Sequence, residues 1–305
     1  MIGSIDDPRV LARIGNACGE AAGHVRHRLT TAAHKETDGQ SGTREEAATE
    51  DLADAIDAID ALGDLLTEEV NREDTTADGK RVRIEFKTEK APQGEENTFG
   101  LDLGIRIIIE TPGYSAQKAI LVQCKRMFGQ GATGTFKKLR GDGERQARDM
   151  LKITPASFFF LFNSGDRNDL FGMMRSPPYL AIPWEFEHPP WPPAYFDPGV
   201  TVLSAARVLA MAEGANAAGR AFPIGAGEVL AASRPLGEFI AGLFAPCLVG
   251  DVRRPLLQLA TPPKRRKEID GGLDAPVPAL GALEPKRFFQ FRFSKEGAAR
   301  DRGRP

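Results

Sequence analysis

Cysteine is scarce in this chain: Cys18, Cys124 and Cys247 are the only three in 305 residues. They stand far apart and form no C-x-x-C pair, which argues against a zinc knuckle or a disulfide framework and fits a reducing compartment. Histidine is nearly as sparse. His24, His27 and His34 share one stretch without an acid partner at metal-ligand spacing, and His188 lies in a proline-rich segment. No G-x-S-x-G elbow is present, and the glycines of FGQGATG lead to no G-K-[ST], so an elbow-type hydrolase and nucleoside-triphosphate chemistry are both disfavoured. No uninterrupted apolar run reaches about 18 residues, the length a membrane-spanning helix needs. The start, MIGSIDDPRV, lacks the basic-then-apolar layout of a secretory signal. The expected location is the cytoplasm, with no membrane segment and no internal repeat.

What is present supports a folded core. Hydrophobic residues make up 41% of the chain, and 27% charged is ordinary for a soluble protein. The net charge of −2 hides an asymmetry. Met1–Lys80 holds 18 acids and 8 bases, a net of −10 (8 − 18), whereas Arg81–Met150 holds 13 bases and 9 acids, a net of +4 (13 − 9). From Pro262 onward 11 bases face 6 acids, a net of +5 (11 − 6). An acidic helical flank is usually a solvated face; a basic middle is where a phosphate backbone could lie.

Pro8–Lys35, rich in Ala, Arg and Leu, reads as a helix. A second helix follows over REEAATEDLADAIDAIDALGDLLTEEV, where Leu52, Ile56, Ile59, Leu62 and Leu66 form a stripe at spacings of three and four. Thr43 is placed to cap it, with Glu46 at capping-box spacing; carried backward, the stripe reaches Thr49 and Glu45. Arg81–Glu89 alternates as a first strand, Glu144–Lys152 reads as a short helix, and Ala156–Asn163 as a buried strand. Tyr179–Phe186, inside a segment holding eight prolines, reads as a short edge strand. Val200–Ala212 and Leu236–Cys247 look helical or mixed. The expected division is a helical N-terminal extension (1–43), a core with C-terminal additions (44–258) and a basic, Pro/Gly-rich, largely flexible tail (259–305). Within that tail Lys286–Phe293 alternates like a strand able to dock.

The chemistry concentrates in FGLDLGIRIIIETPGYSAQKAILVQCKRM. Two strand-like stretches, Leu101–Glu110 and Gln117–Lys125, flank a turn on Thr111-Pro112-Gly113. Side chains two apart in a strand share a face, so Gln123 and Lys125 point the same way, and Asp102 goes with Gly104 and Arg106. A carboxylate, an amide oxygen and an ammonium would then meet at one end of a hairpin. Metal-assisted phosphodiester hydrolysis needs such groups: hard oxygen ligands for a divalent cation, and an amine near the attacking water or the phosphate. An Asp inside an apolar strand is costly to bury unless paired or metal-bound. Cys124, between them, should point into the core, and Glu85, sharing a face with Arg83 and Lys87, reads as an ion-paired surface acid.

Gly100-Leu101-Asp102 and Val122-Gln123-Cys124-Lys125-Arg126 carry a resemblance to the PD-(D/E)XK, or restriction-endonuclease-like, nuclease superfamily. It is closest to Mrr-like members in which Gln replaces the acid before the Lys. The resemblance covers roughly Arg44 to Asn163. It implies an α/β fold in three layers, α/β/α, with a central mixed sheet, in the core order helix, three strands, helix, strand. It implies a Mg²⁺- or Mn²⁺-dependent deoxyribonuclease in which Asp102, the Gln123 oxygen and Glu45 (or Glu46) hold the metal. Lys125 would serve the water, and Gln146 would reach the site from the following helix. Arg126, Lys137, Lys138 and Arg140 would hold phosphates. The implied partner is DNA, duplex rather than single-stranded, in bacterial restriction or phage defence; a homodimer and a defence-system partner protein stay open. The neutral Gln123 supports an alternative: a catalytically degenerate nuclease-fold module that binds nucleic acid or a protein.

Overall fold

A computed structural model describes residues 8–37, 47–55, 82–90, 101–111, 114–131, 134–136, 139, 141–174, 196–217, 224–246, 248–262, 265 and 285–295. Its centre is a mixed sheet of seven strands. These are β1 (Val82–Lys90), β2 (Leu101–Thr111), β3 (Tyr114–Arg126), β5 (Ser157–Phe162), β6 (Val200–Ser204), β8 (Arg234–Pro235) and β9 (Pro285–Lys295), in the spatial order β1-β9-β2-β3-β5-β6-β8. Two short strands, β4 (Thr135–Phe136) and β7 (Ile224–Gly225), pair separately.

Alternation in the strands sorts side chains to two faces, and each face carries its own apolar layer. On the first, Leu103, Ile105, Ile107 and Ile109 of β2 meet Val122 and Cys124 of β3, Phe158, Phe160 and Phe162 of β5, and Phe289, Phe291 and Phe293 of β9. Helix α1 (Pro8–Thr37), helix α2 (residues 47–55) and α7 (Leu236–Phe239), which runs into a π-turn at Ile240–Phe244, cover this face. On the second face Ala119, Leu121, Phe159 and Leu161 pack under α3 (Asp142–Ile153), α4 (Arg167–Gly172), α5 (Ala205–Ala217), α6 (Ala226–Leu230) and α8 (Arg254–Leu259). The protein is therefore an α/β fold with helices on both sides of a mixed sheet.

The long hairpin forms as the β-branched alternation requires. Antiparallel pairing of β2 and β3 runs from Leu103↔Val122 to Thr111↔Tyr114, so β3 starts three residues earlier than its sequence pattern indicates. Helix α1 matches its expected span, and Val200–Ala212 divides into β6 followed by α5. On α2, Ala48, Thr49, Leu52 and Ala53 are buried, as the apolar stripe requires. The helix from Ile56 onward, and the edge strand expected at Tyr179–Phe186, lie outside the described residues.

Within the tail, the docking strand expected at Lys286–Phe293 forms over Pro285–Lys295, in the interior of the sheet, antiparallel to β1 and parallel to β2. Phe289, Phe291 and Phe293 are at most 3% exposed. Burying three phenylalanines is worth roughly 1.5–3 kcal/mol each, enough to order a segment whose Lys and Arg content otherwise favours solvent. Consequently β1 does not neighbour β2. The main sheet and its helices follow the chain order α2, β1, β2, β3, α3 and β5, with the short β4 of the second sheet between β3 and α3 and with β9 inserted between β1 and β2.

Candidate functional site

The sheet splits at one end. Beyond Leu103↔Val122 the β2–β3 ladder stops, while β2 stays paired to β9 as far as Leu101↔Pro285 and β3 stays paired to β5 as far as Arg126↔Phe162. Asp102 sits at this fork. Its Oδ2 accepts from the Cys124 backbone N–H at 2.7 Å and also from Gln123 Nε2. Parallel pairing sends the N–H groups of Leu121 and Met127 toward β5 and its continuation, so that of Cys124 points the opposite way, toward β2. The carboxylate takes this donor where the strands no longer pair. The local sequence thus explains the placement: an Asp one residue before the ladder's last pair is the nearest acceptor.

Gln123 and Lys125 share the second face, their register partners being Phe159 and Leu161. Gln123 is 5% exposed and Lys125 4%. The Gln123 amide uses its nitrogen toward Asp102, and its Oε1 is buried without a hydrogen-bond partner. An orphaned buried oxygen costs about 1–3 kcal/mol and calls for an explanation, and a ligand is one. On the other side of Asp102, Lys286 of β9 places its Nζ 4.0 Å from Oδ1. Asp102 thus touches three strands: its own, β3 and β9.

Gln146 lies on α3 beside the buried positions Gly143, Ala147 and Met150, over the face that carries Lys125, and its Oε1 is likewise buried and unpartnered. Arg126 is not brought together with Lys125. It alternates to the first face, opposite Phe162 in register, and holds its guanidinium 4.8 Å from the Phe128 ring. Glu45, Glu46, Lys137, Lys138 and Arg140 lie outside the described residues. Arg106, on the Asp102 face, is buried and donates to Thr261 Oγ1 at 2.9 Å and Gln290 Oε1 at 2.6 Å, which ties the C-terminal segments to β2. Glu85 is the ion-paired acid expected, 2.8 Å from Arg83 and 3.6 Å from Lys87.

Around this end of the sheet the charges are mainly ion-paired. Arg287 of β9 pairs with Glu50 of α2, and burial lowers the Arg287 pKa. Arg265 reaches Glu89 at 2.8 Å. Past the end of β5, the buried Asp197 carboxylate receives Arg26 Nε at 3.1 Å and the Gly199 N–H at 2.8 Å, with Arg167 Nε at 3.3 Å. These contacts fix α1 over the strand ends. Among the described residues no group of three or more His, Cys, Asp or Glu is placed to hold a metal. The set read from the sequence counts an amide oxygen and an acid of residues 45–46, so only Asp102 and Gln123 of that set are placed.

Sequence reading missed Lys286. Its signal was the alternation of KRFFQFRF, which gives a strand but not that strand's neighbours. Compared with known protein families, curated proteins and solved structures, the chain matches none of them.

Proposed function

We propose that this chain is a metal-dependent nuclease hydrolysing DNA phosphodiester bonds on a restriction-endonuclease-like core of the Mrr-like kind. The observation that carries the reading is the contact between Asp102 and Gln123 at the fork, with an orphaned, buried amide oxygen beside it and the Lys125 side chain buried on the same face. The Asp102 carboxylate and, with its amide turned so that Oε1 faces it, Gln123 would hold a hard divalent cation, Mg²⁺ or Mn²⁺. Gln123 brings no charge, so an acid from residues 45–46 is needed to raise affinity. When bound, the ion supplies Lewis-acid polarisation of the phosphate and acidifies water. Lys125 orients the attacking water and offsets charge developing on the phosphate, which a buried amine does more effectively than a solvated one. Gln146 contributes its amide from above. Lys137, Lys138 and Arg140 hold the duplex backbone, and bacterial restriction or phage defence is the proposed setting.

A second reading has its own support. The N–H of Gln123, not its oxygen, faces Asp102, so this carboxylate already receives two protein donors and a nearby lysine. A degenerate module that binds DNA or a protein without cutting would keep that arrangement. Incubation of the purified chain with duplex and single-stranded DNA, with Mg²⁺ or with EDTA, separates the two. Cleavage that needs Mg²⁺ and disappears in Asp102→Ala and Lys125→Ala supports the nuclease. Binding that persists in EDTA and in Asp102→Asn, with no cleavage under any condition, supports the module.

A further inference from the structure

We infer that Gln123 is a turning latch on Asp102: its amide holds the carboxylate through Nε2, and presents Oε1 instead when a divalent cation enters the fork. The inference rests on the metal-dependent reading above and adds how that site is closed and opened.

With Asp102 ionised, Gln123 Oε1 beside Oδ2 would set two acceptors together with no proton between them. The nitrogen therefore faces the carboxylate. That orientation leaves Oε1 buried without a hydrogen-bond partner, on a side chain only 5% exposed. A cation bound between the two groups reverses the preference, because it takes oxygen ligands and repels the amide protons. The turn asks little else to move. The last torsion of a glutamine side chain is broad, so nitrogen and oxygen exchange places while the stem keeps its rotamer. The β2–β3 ladder has already ended at Leu103↔Val122, so no backbone pair breaks. Asp102 stays in place, because the Cys124 backbone N–H donates to the same Oδ2 at 2.7 Å from a strand that remains paired to β5. Its side chain keeps 16% exposure, which leaves an approach from solvent. A carboxylate at position 123 could not act in this way, since it would repel Asp102 until an ion arrived. The amide keeps the fork joined before binding and supplies a hard oxygen after it.

The test uses the full chain, isotope-labelled at its glutamine side-chain nitrogens and followed by NMR in EDTA, in Mg²⁺ and in trace Mn²⁺, the ions alone serving as probes. Gln123 is identified by the signal pair missing from Gln123→Met. Thermal unfolding verifies that this variant is folded, and Gln123→Glu replaces it if it is not. The expected result in EDTA is one Gln123 amide proton shifted downfield and slow to exchange, as a proton donated to a carboxylate is, with both features lost in Asp102→Ala. Saturating Mg²⁺ should abolish the downfield shift and speed exchange of that proton at least about tenfold, the scale of losing one charge-assisted hydrogen bond. Trace Mn²⁺, which is paramagnetic, should broaden the Gln123 pair and spare Gln117, which lies near the hairpin turn on the same strand. Broadening of Gln123 by Mn²⁺ with a downfield proton that Mg²⁺ leaves unmoved overturns the latch and leaves the metal reading standing, because the ion then sits beside an amide that has not turned. Absence of the downfield proton in EDTA overturns it as well, since there is then nothing to turn. Equal broadening of Gln123 and Gln117 marks an adventitious ion only and has the same force. If neither ion alters any Gln123 signal, the latch and the metal-dependent reading fall together.

Discussion

Gln123 Nε2 donates to Asp102 Oδ2, and with the Cys124 backbone N–H on the same oxygen it joins β3 to β2 where their backbone ladder has ended. The amide is oriented by the carboxylate, with its oxygen left buried and unpartnered. A cation entering between the two groups would favour the opposite amide orientation, oxygen inward.

Asp102→Asn and Lys125→Ala should each lower Mg²⁺-dependent cleavage by at least about 10²-fold, the scale of losing one electrostatic contributor to a transition state. Duplex affinity in EDTA should change less than threefold for Asp102→Asn. A plasmid-nicking time course beside an anisotropy titration measures both; retained cleavage in either variant contradicts the assignment.

Gln123→Glu sets two carboxylates side by side, so one of them must take a pKa above the ordinary Glu value of about 4.3. A group raised in the folded state contributes its stability below its unfolded pKa and loses it as pH rises through the raised value. Without divalent ions this variant should lose stability between pH 4 and neutrality relative to wild type, and Mg²⁺ should restore it. Urea unfolding at several pH values, with and without Mg²⁺, reads this directly. A pH profile parallel to wild type would show that the carboxylates do not meet.

Asp197→Asn should cost about 3 kcal/mol, because two arginines converge on a carboxylate that is itself 8% exposed. Gly199 packs against α1 so closely that a Cβ would lie 2.1 Å from Ala22 O, and Gly199→Ala should cost about 1–3 kcal/mol through that clash. Chemical denaturation of both variants checks these values, and wild-type midpoints would refute the proposed anchoring of α1.

Acid sensitivity should come in part from the far end of the sheet. Burial opposes ionisation of Asp251, but hydrogen bonds from the Arg253 side chain and backbone and from Thr154 Oγ1 outweigh it and hold its pKa at about 2. A depressed carboxyl contributes stability above its unfolded pKa and loses it as pH falls toward the folded one. Between roughly pH 4 and 2 the wild type should therefore lose stability faster than Asp251→Asn. Glu238 acts with the opposite sign: burial raises its pKa against the pull of Arg234, so its contribution weakens as pH rises. Denaturation midpoints from pH 2 to 8 test both slopes.

Most of the local structure was legible from residue pattern. The Ile and Leu alternation in β2 gave the faces, Thr111-Pro112-Gly113 gave the hairpin, and the Phe run gave β5, because each depends on neighbours in sequence. Strand pairing across long separations was not. The pattern of Phe289, Phe291 and Phe293 states that a strand exists, but its insertion between β1 and β2 depends on apolar surface far away in sequence, as in Phe289↔Ile105, 184 residues apart (289 − 105). The position of Arg126 was accessible, since alternation from Lys125 already assigns it the opposite face. The contact of Asp102 with Gln123 follows from the hairpin register, whereas Lys286 beside Asp102 needed the β9 register as well.

That register has a consequence for timing. Strand β1 has β9 as its partner in the sheet, and β9 follows every other described element in the chain. The β1–β9 pairing must therefore wait until residue 295 has been synthesised, and such distant pairing forms slowly. The fork that holds Asp102 acquires its third wall only once β9 has been made, so a nascent chain lacking residues 285–295 has no complete site to use.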